Sequence, residues 1–420
     1  DLAKSLSDRI NDAKCNTLIT ADGGFRGNKI TPLKDISDEA MLSTPSIKTC
    51  IVLKRTESEV SMKSKRDYWW HNEMDGADEY MDAEIMDAED ELFILYTSGS
   101  TGKPKGIVHS TAGYMIYSQY SFENVFQYSE GDVYWCTADI GWITGHSYIV
   151  YGPLLSGATS IMFEGVPTYP DSSRFWQIVE ENKVNIFYTA PTAIRALEAK
   201  GLDFVKKHDL SSLKVLGTVG EPINEDAWNW YSKEIGNGNC PIVDTWWQTE
   251  TGGIMISNLA GITKEKPTFA TLPLPGIQAC IVNDNGKEII ANNTEGKLCV
   301  KYPWPSMART IYGDHKRFID TYFSAFPGYY FSGDGCYKNE EGMFRITGRV
   351  DDVIIVSGHN LGTAEIESAI DEHKNVCESA IVGYPHDIKG NGICAFIICH
   401  HTPSDPLKLN IEINKLIVKH

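Results

Sequence analysis

A chain of 420 residues with 42% apolar and 22% charged residues has an ordinary globular composition and more length than one core uses, so two or more domains are expected. Its net charge of −18, from 38 basic and 56 acidic side chains, excludes a broad nucleic-acid surface, which needs a basic face, but not a nucleotide held by a local basic loop. The ten cysteines form no CxxC pair and read as reduced core thiols of a cytoplasmic protein rather than zinc ligands. No apolar run nears the roughly 18 residues that cross a bilayer, so no membrane span is expected, and no secretory leader is read.

Residues 15–20 (Cys-Asn-Thr-Leu-Ile-Thr) and 49–53 (Thr-Cys-Ile-Val-Leu) predict strands of an α/β sheet. Residues 56–91 are polar and acidic, with Asp75, Asp78, Glu79, Asp82 and Glu84 among them, and read as a solvated linker. The apolar run Leu92-Phe93-Ile94-Leu95-Tyr96 predicts a buried strand, and Tyr114, Met115 and Tyr117 open a helical pattern. Between them lies TSGSTGKPKG, residues 97–106, which reads as a glycine-rich loop leading from a strand to a helix. Gly99, Gly102 and Gly106 let the backbone turn tightly and aim its amides at a ligand. Thr97, Ser98, Ser100 and Thr101 add hydroxyls, while Lys103 and Lys105 add positive charge, a set that suits a polyphosphate. It is not a Walker A loop, because Gly102-Lys103 is followed by Pro104 and no Ser or Thr stands ready for magnesium. Taken alone such a loop is more often a flexible surface segment; its strand–loop–helix context and the motifs downstream favour the phosphate reading.

From there strands and helices alternate. Residues 159–163, 184–188 and 214–219 read as strands, 175–183 and about 224–235 as helices, and Pro191 as the first turn of a helix through Ile194 and Leu197. This rhythm implies stacked α/β layers, in which ligands collect at the carboxyl ends of strands. The loop at 97–106, Gly220-Glu221-Pro222 and Trp246-Trp247-Gln248 all lie just past such ends. From about residue 278 the strands shorten (278–282, 296–301, 328–332 and 343–347), which suggests a small β subdomain. Residues 351–420 read as a further α+β unit, with strands at 352–357, 376–382 and 392–400 and helices at 363–371 and 409–418. Ser332-Gly333-Asp334-Gly335 reads as a glycine-flanked turn whose exposed carboxylate could accept hydrogen bonds from a ribose diol, an ordinary turn aspartate being the plainer alternative. Arg349 could reach ribose or phosphate. The pair Trp246-Trp247 reads either as core packing or as a pocket wall.

The loop at 97–106, the run Asp244-Thr245-Trp246-Trp247-Gln248-Thr249-Glu250 and the stretch from Tyr330 to Glu367 together resemble the acyl-adenylate-forming enzymes, and within them those that make acetyl-coenzyme A. The likeness covers nearly the whole chain. It implies a large multi-layer α/β domain with a small β subdomain, residues 1–350, followed by a smaller, mobile α+β domain, residues 351–420. It implies activation of acetate by ATP to acetyl-AMP, then transfer to coenzyme A, with magnesium as cofactor and only small molecules as partners. A propionyl- or other short-chain acyl-coenzyme A synthetase is the alternative within the fold, and a non-catalytic nucleotide-binding module the alternative outside it.

The resemblance also assigns roles. Gly220, Glu221 and Pro222 face adenine, Asp244, Thr245, Trp246 and Gln248 flank base and phosphate, Thr249 meets the α-phosphate, and Glu250 helps to hold magnesium. Asp334 and Arg349 hold the ribose, and Asp351 is the hinge. Trp247 closes an acetate pocket with Ile143, Thr144 and Val219. Ser357, Gly358 and Ala190 line the approach of the coenzyme A thiol, and a second cation site is placed at His373 and Val376. Two departures stand out. Asn360 occupies a position where the family commonly carries a basic residue, and the adenylating lysine, expected in a Ser-Gly-Lys segment near the C-terminus, does not occur. The chain is therefore expected to be part of a longer one and, as written, to bind ATP but adenylate poorly.

Overall fold

The computed structural model describes residues 3–97, 104–350, 353–356, 359–386 and 390–419. It divides into two compact units, each assembled from separate stretches of chain. The first takes in Asp1–Ala112, Phe163–Arg174 and Ala308–His315; the second takes in Gly113–Met162, Phe175–Met307 and Lys316–His420.

In the first unit, Thr17–Ala21, Thr49–Leu53 and Asp67–Trp69 form a parallel three-stranded sheet, the first two where the sequence predicts strands. Cys50 and Val52 turn into the core while their neighbours stay partly exposed, the period-two burial of a strand. Helix Leu33–Met41 carries Lys34, whose buried ammonium lies 3.0 Å from Asp67 and 2.6 Å from Asp38, as a charge removed from water requires. The acidic stretch is less featureless than expected, since Trp70–Asp75 forms a short helix after the third strand. From 71 to 91, however, every residue is exposed, in keeping with a solvated connection.

A second sheet in this unit is antiparallel, with Thr310–Ile311, Lys105–Ser110 and Glu91–Thr97 in that order. It corrects two expectations. Glu91–Thr97 is half-buried rather than buried, because it is an edge strand. The glycine-rich segment joins two strands of a hairpin, with Thr97 opposite Lys105, and the helix Thr111–Phe126 begins only after Ser110. Ile107 and Val108, read as the approach to a helix, are strand residues buried against Ile311 and Thr310.

The second unit is built on five parallel strands in the order Ile242–Asp244, Val215–Thr218, Ile186–Thr189, Val133–Cys136, Thr159–Ile161. The first three are buried along their whole length, as parallel strands covered on both faces must be. Their register sets Thr189 beside Thr218 and Thr218 beside Asp244, so three carboxyl ends finish in one row. Helix Pro191–Glu198 starts on its proline and buries Ile194 and Leu197. Helix Glu225–Trp230 is capped by Asn224, whose Oδ1 accepts from the Ala227 amide at 3.0 Å, and carries Glu225 and Asp226 at its positive end.

Ala279–Val282, Thr294–Val300, Tyr330–Lys338 and Phe344–Arg349 form the small antiparallel sheet that the sequence predicts. Ser332-Gly333-Asp334-Gly335 is not a turn within it. It lies inside strand Tyr330–Lys338, whose residues alternate between buried and half-buried. The last sheet combines His359–Gly362, Val353–Val356, Gly390–Cys399 and Val376–His386, and helices Thr363–Asp371 and Pro406–Lys419 accompany it. Ile370, Val376, Ile381 and Ile413 make its core. Strand His359–Gly362 has no signal in the sequence, because Gly358-His359-Asn360 reads as loop chemistry.

Candidate active site

Past Asp244 the chain leaves the parallel sheet and doubles back, with the Trp246 amide donating to Ile256 O at 2.9 Å and the Gln248 amide donating to Thr251 Oγ1 at 2.9 Å. This loop, the turn after strand Val215–Thr218 and the ends of two antiparallel strands enclose a cavity of about 290 Å³. Gly220, Glu221 and Pro222 form one wall, Asp244 to Gln248 another, and Asp334 and Arg349 a third. Sequence motifs more than a hundred residues apart thus meet in one cleft within the second unit.

Asp334 is the most heavily held of these side chains. It is not exposed, as a turn carboxylate would be, but only 5% accessible. Its Oδ2 accepts from Trp246 Nε1 at 3.1 Å and from Gln248 Nε2 at 2.9 Å. Arg349 stands directly opposite on the neighbouring strand, with Nη1 3.4 Å from Oδ1 and 3.0 Å from Ser332 O. Gln248 is oriented in turn, its Nε2 donating to Ser332 O at 2.8 Å and its Oε1 accepting from the Tyr330 hydroxyl at 2.8 Å. Gly333 has a positive φ of 80°, and a Cβ built there would lie 2.6 Å from the Arg349 guanidinium. Glycine is needed at that point so that the guanidinium can cross over the strand.

Asp244 is buried as well, with Oδ1 accepting from Thr218 Oγ1 at 2.9 Å. Burial pushes both carboxyls up from the ordinary 3.8 to about 6; the Thr218 bond opposes this at Asp244, and Arg349 opposes it at Asp334. Glu221 sits at the start of helix Pro191–Glu198, accepting from the Thr192 amide at 2.7 Å and from Arg195 Nη2 at 3.0 Å. These bonds fasten the Gly220-Glu221-Pro222 turn, in which Gly220 supplies a φ of 96°.

The remaining expected residues scatter more widely. Trp247 lines the cavity, its indole edge-on to Tyr148 at 4.9 Å, but Ile143, Thr144 and Val219 do not line it. Thr249 and Glu250 also lie outside the lining, and Glu250 is buried with the Tyr322 hydroxyl donating to its Oε1. Tyr322 stacks on Tyr330 with ring centroids 5.6 Å apart, so two tyrosines that sequence reasoning missed orient the Gln-Thr-Glu turn. Tyr330 opens the stretch that the sequence singles out, without a role of its own there, and Tyr322 belongs to no motif. Thr268, Ala270, Ile346 and Gly348 also line the cavity and carry no motif.

Ala190 immediately precedes helix Pro191–Glu198 in extended conformation. His373 accepts from the Asn375 amide at Nδ1, 3.2 Å, and donates from Nε2 to Glu412 Oε2 at 3.1 Å, while Val376 packs in the core of its sheet. Asn360 lies on strand His359–Gly362 opposite Ile355. Thr97 and Lys105 belong to the first unit, where they face each other across the hairpin. Ser98, Gly99, Ser100, Thr101, Gly102, Lys103, Asp351, Ser357 and Gly358 lie outside the described residues. Among the described residues no three His, Cys, Asp or Glu side chains converge on a metal-sized site, and no helix is long and apolar enough to cross a membrane.

Comparison with known proteins gives the family of the chain. Residues 2–312 match the family model of the AMP-binding enzymes, and residues 365–420 match that of the AMP-binding enzyme C-terminal domain. Acetyl-coenzyme A synthetase of Magnetococcus marinus is 55% identical over 417 residues, covering 99% of this chain and 64% of the relative. Those of Xanthomonas campestris pv. campestris and Bdellovibrio bacteriovorus are each 56% identical, covering 96% and 94% of this chain and 63% and 61% of theirs. The chain thus spans a little under two thirds of the length of these relatives. With its motifs, its cleft and these matches in agreement, the chain belongs to the AMP-binding enzyme family.

Proposed function

We propose that the protein activates acetate with ATP and passes the acetyl group to coenzyme A. An acetate oxygen attacks the α-phosphorus, the bond to the β-phosphate breaks, and pyrophosphate leaves with its electron pair. The coenzyme A thiolate then attacks the acetyl carbon and AMP departs, giving acetyl-coenzyme A. The observation that supports this best is the meeting of Asp334, Arg349, Asp244 and Trp247 in one cavity, in a chain more than half identical to proteins named acetyl-coenzyme A synthetase.

In this reading Asp334 accepts the ribose hydroxyls, Arg349 holds the ribose or the phosphate, and the Gly220-Glu221-Pro222 turn lies on the adenine face. Asp244, Thr245, Trp246 and Gln248 frame the base, Thr249 meets the α-phosphate, and the segment 97–106 cradles the outgoing phosphates. Catalysis is then mainly alignment and charge stabilisation. Glu250 offers one carboxylate beside a phenol donor, and magnesium bound there would be held in part by the substrate's own phosphates. When bound, magnesium would neutralise the charge of the departing pyrophosphate.

We assign residues 1–350 to the adenylating domain and 351–420 to a unit that turns at Asp351 between half-reactions, bringing Ser357 and Gly358 to the thiol opposite Ala190. Ten free cysteines favour a reducing, cytoplasmic setting.

Trp247 sets the size of the acid. The test is acid-dependent ATP–pyrophosphate exchange with the full-length protein. Acetate, with or without propionate, should support exchange. Trp247→Gly should lower kcat/KM for acetate and admit five- or six-carbon acids by at least about tenfold, since each methylene is worth roughly that in an apolar pocket. Exchange with hexanoate but with neither acetate nor propionate in the unaltered protein removes the proposal.

A further inference from the structure

Trp247 does not hold its own position: Tyr148 stands behind it. Tyr148 is fully buried, and its ring meets the indole at 90° with centroids 4.9 Å apart, the edge-to-face geometry that aromatic pairs favour. Tyr188 and Phe126 complete the cage around the Tyr148 ring at 6.0 and 6.3 Å, both T-shaped. The hydroxyl is fixed as firmly. The Ile254 amide donates to it at 2.7 Å, and it lies 2.7 Å from Ser121 Oγ, which in turn reaches Tyr117 O at 2.7 Å. With Tyr148 donating to Ser121 and Ser121 to Tyr117, every group in this chain of bonds is satisfied. Burial keeps the phenol protonated far above the ordinary tyrosine range.

The backbone is committed too. Tyr148 interrupts the wide helical turn His146–Tyr151 with φ −125° and ψ 18°, a kink that re-aims its side chain. The same segment begins at Ile143 and Thr144, the residues expected beside the acid. None of the motifs singled out in the sequence includes Tyr148.

We infer that Tyr148 is a positioning residue for acid selection, acting as the backstop that fixes the Trp247 indole and thereby limits acid length. The inference rests on the reading of Trp247 as the wall of the acid slot. The ring, pressed edge-on against the indole, fills the space into which the indole would otherwise tilt. Without that ring the indole can tilt into the vacated space, and a longer acid fits.

The test uses the full-length protein and ATP–pyrophosphate exchange with acetate, propionate and butyrate. Tyr148→Leu should raise the butyrate-to-acetate ratio of kcat/KM by about tenfold, the low end for a gained methylene. Tyr148→Phe keeps the ring and should keep the ratio, whatever it costs in stability. In a Trp247→Gly background Tyr148→Leu should add nothing further, because the two residues act through one indole. A folded Tyr148→Leu protein that loses acetate activity with an unchanged ratio overturns the inference, as does a Tyr148→Phe protein that changes the ratio as much.

A second measurement needs no variant at position 148. With 5-fluorotryptophan incorporated, the Trp247 fluorine resonance, assigned by its loss in Trp247→Phe, should be one sharp line; two exchanging lines show an indole that nothing holds. If Trp247→Gly leaves acid preference unchanged, the acid-slot reading fails on its own account; the fluorine line still reports separately whether the indole is held, and its broadening or doubling in Tyr148→Leu reports whether Tyr148 holds it.

Discussion

Asp244 and Asp334 are carboxylates kept where water hardly reaches, and each is partly compensated by donors that the fold supplies. The sign of the consequence follows from the direction of the shift. A carboxyl whose folded value is raised leaves stability intact below its unfolded value of 3.8 and removes it as pH climbs to about 6, because ionisation is easier in the unfolded chain. A rise from 3.8 to about 6 is worth on the order of 3 kcal/mol per group, and both groups are buried enough that solvent discounts it little. Asp244→Asn keeps an acceptor for Thr218 Oγ1 and cannot ionise. Its stability relative to the unaltered protein should therefore grow between pH 4 and pH 7, by up to about 3 kcal/mol in urea unfolding. A constant offset across that range would show that the carboxyl is not perturbed. The same two residues illustrate what sequence reveals of a site. Of the Asp-Thr-Trp-Trp-Gln-Thr-Glu run, Asp244 to Gln248 line the cavity and Thr249 and Glu250 do not. The burial of Asp334 did not show, because it is created by Trp246 and Gln248 from another element.

At the scale of elements, what was legible was local. Pro191 announced a helix start, the pattern from about 224 a second helix and the apolar runs at 184–188 and 214–219 strands, and the structure places the starts of these within a residue or two. What was not legible depended on distant partners. Three residues, Ile107-Val108-His109, are too few to show a period, and their strand is completed by Thr310–Ile311, some two hundred residues away. Gly333 looked like turn chemistry, yet its glycine serves the passage of Arg349 from the paired strand. The Gly220-Glu221-Pro222 turn depends on such a long-range tie. Glu221 caps helix Pro191–Glu198 through the Thr192 amide and pairs with Arg195, although it is more than twenty residues distant in the chain. Glu221→Ala should cost about 1 kcal/mol, the typical worth of a helix N-terminal acceptor, and part of that loss should vanish in high salt. It should also weaken binding of adenosine, which equilibrium dialysis would read. An unchanged affinity would mean that the turn keeps its shape without the tie.

The whole molecule carries −18 charges, so an anionic nucleotide approaches against a mean repulsion that the site must overcome locally and that salt screens. Adenosine separates the two effects. It is uncharged, it carries the diol that Asp334 is proposed to receive, and it lacks a phosphate that titrates near pH 6 by itself. If the diol donates to the ionised carboxylate, binding favours the deprotonated form and must release a proton wherever the free site is still protonated. Adenosine at about a hundredfold excess over Kd should then stabilise the folded protein by about 2.7 kcal/mol above pH 7. Between pH 6 and pH 5 its affinity should fall by about fivefold, since burial raises the Asp334 carboxyl to about 6. Two controls assign the effect. Deoxyadenosine, lacking one hydroxyl, should bind more weakly and with a shallower dependence on pH. Asp334→Asn should bind adenosine weakly at every pH, with the step near 6 gone. The overall charge also drains away over this range, the isoelectric point lying near 5.1, but an uncharged ligand does not feel that change. A pH step that survives in Asp334→Asn would therefore place the titrating group elsewhere, and Asp334 would lose its part in holding the ribose.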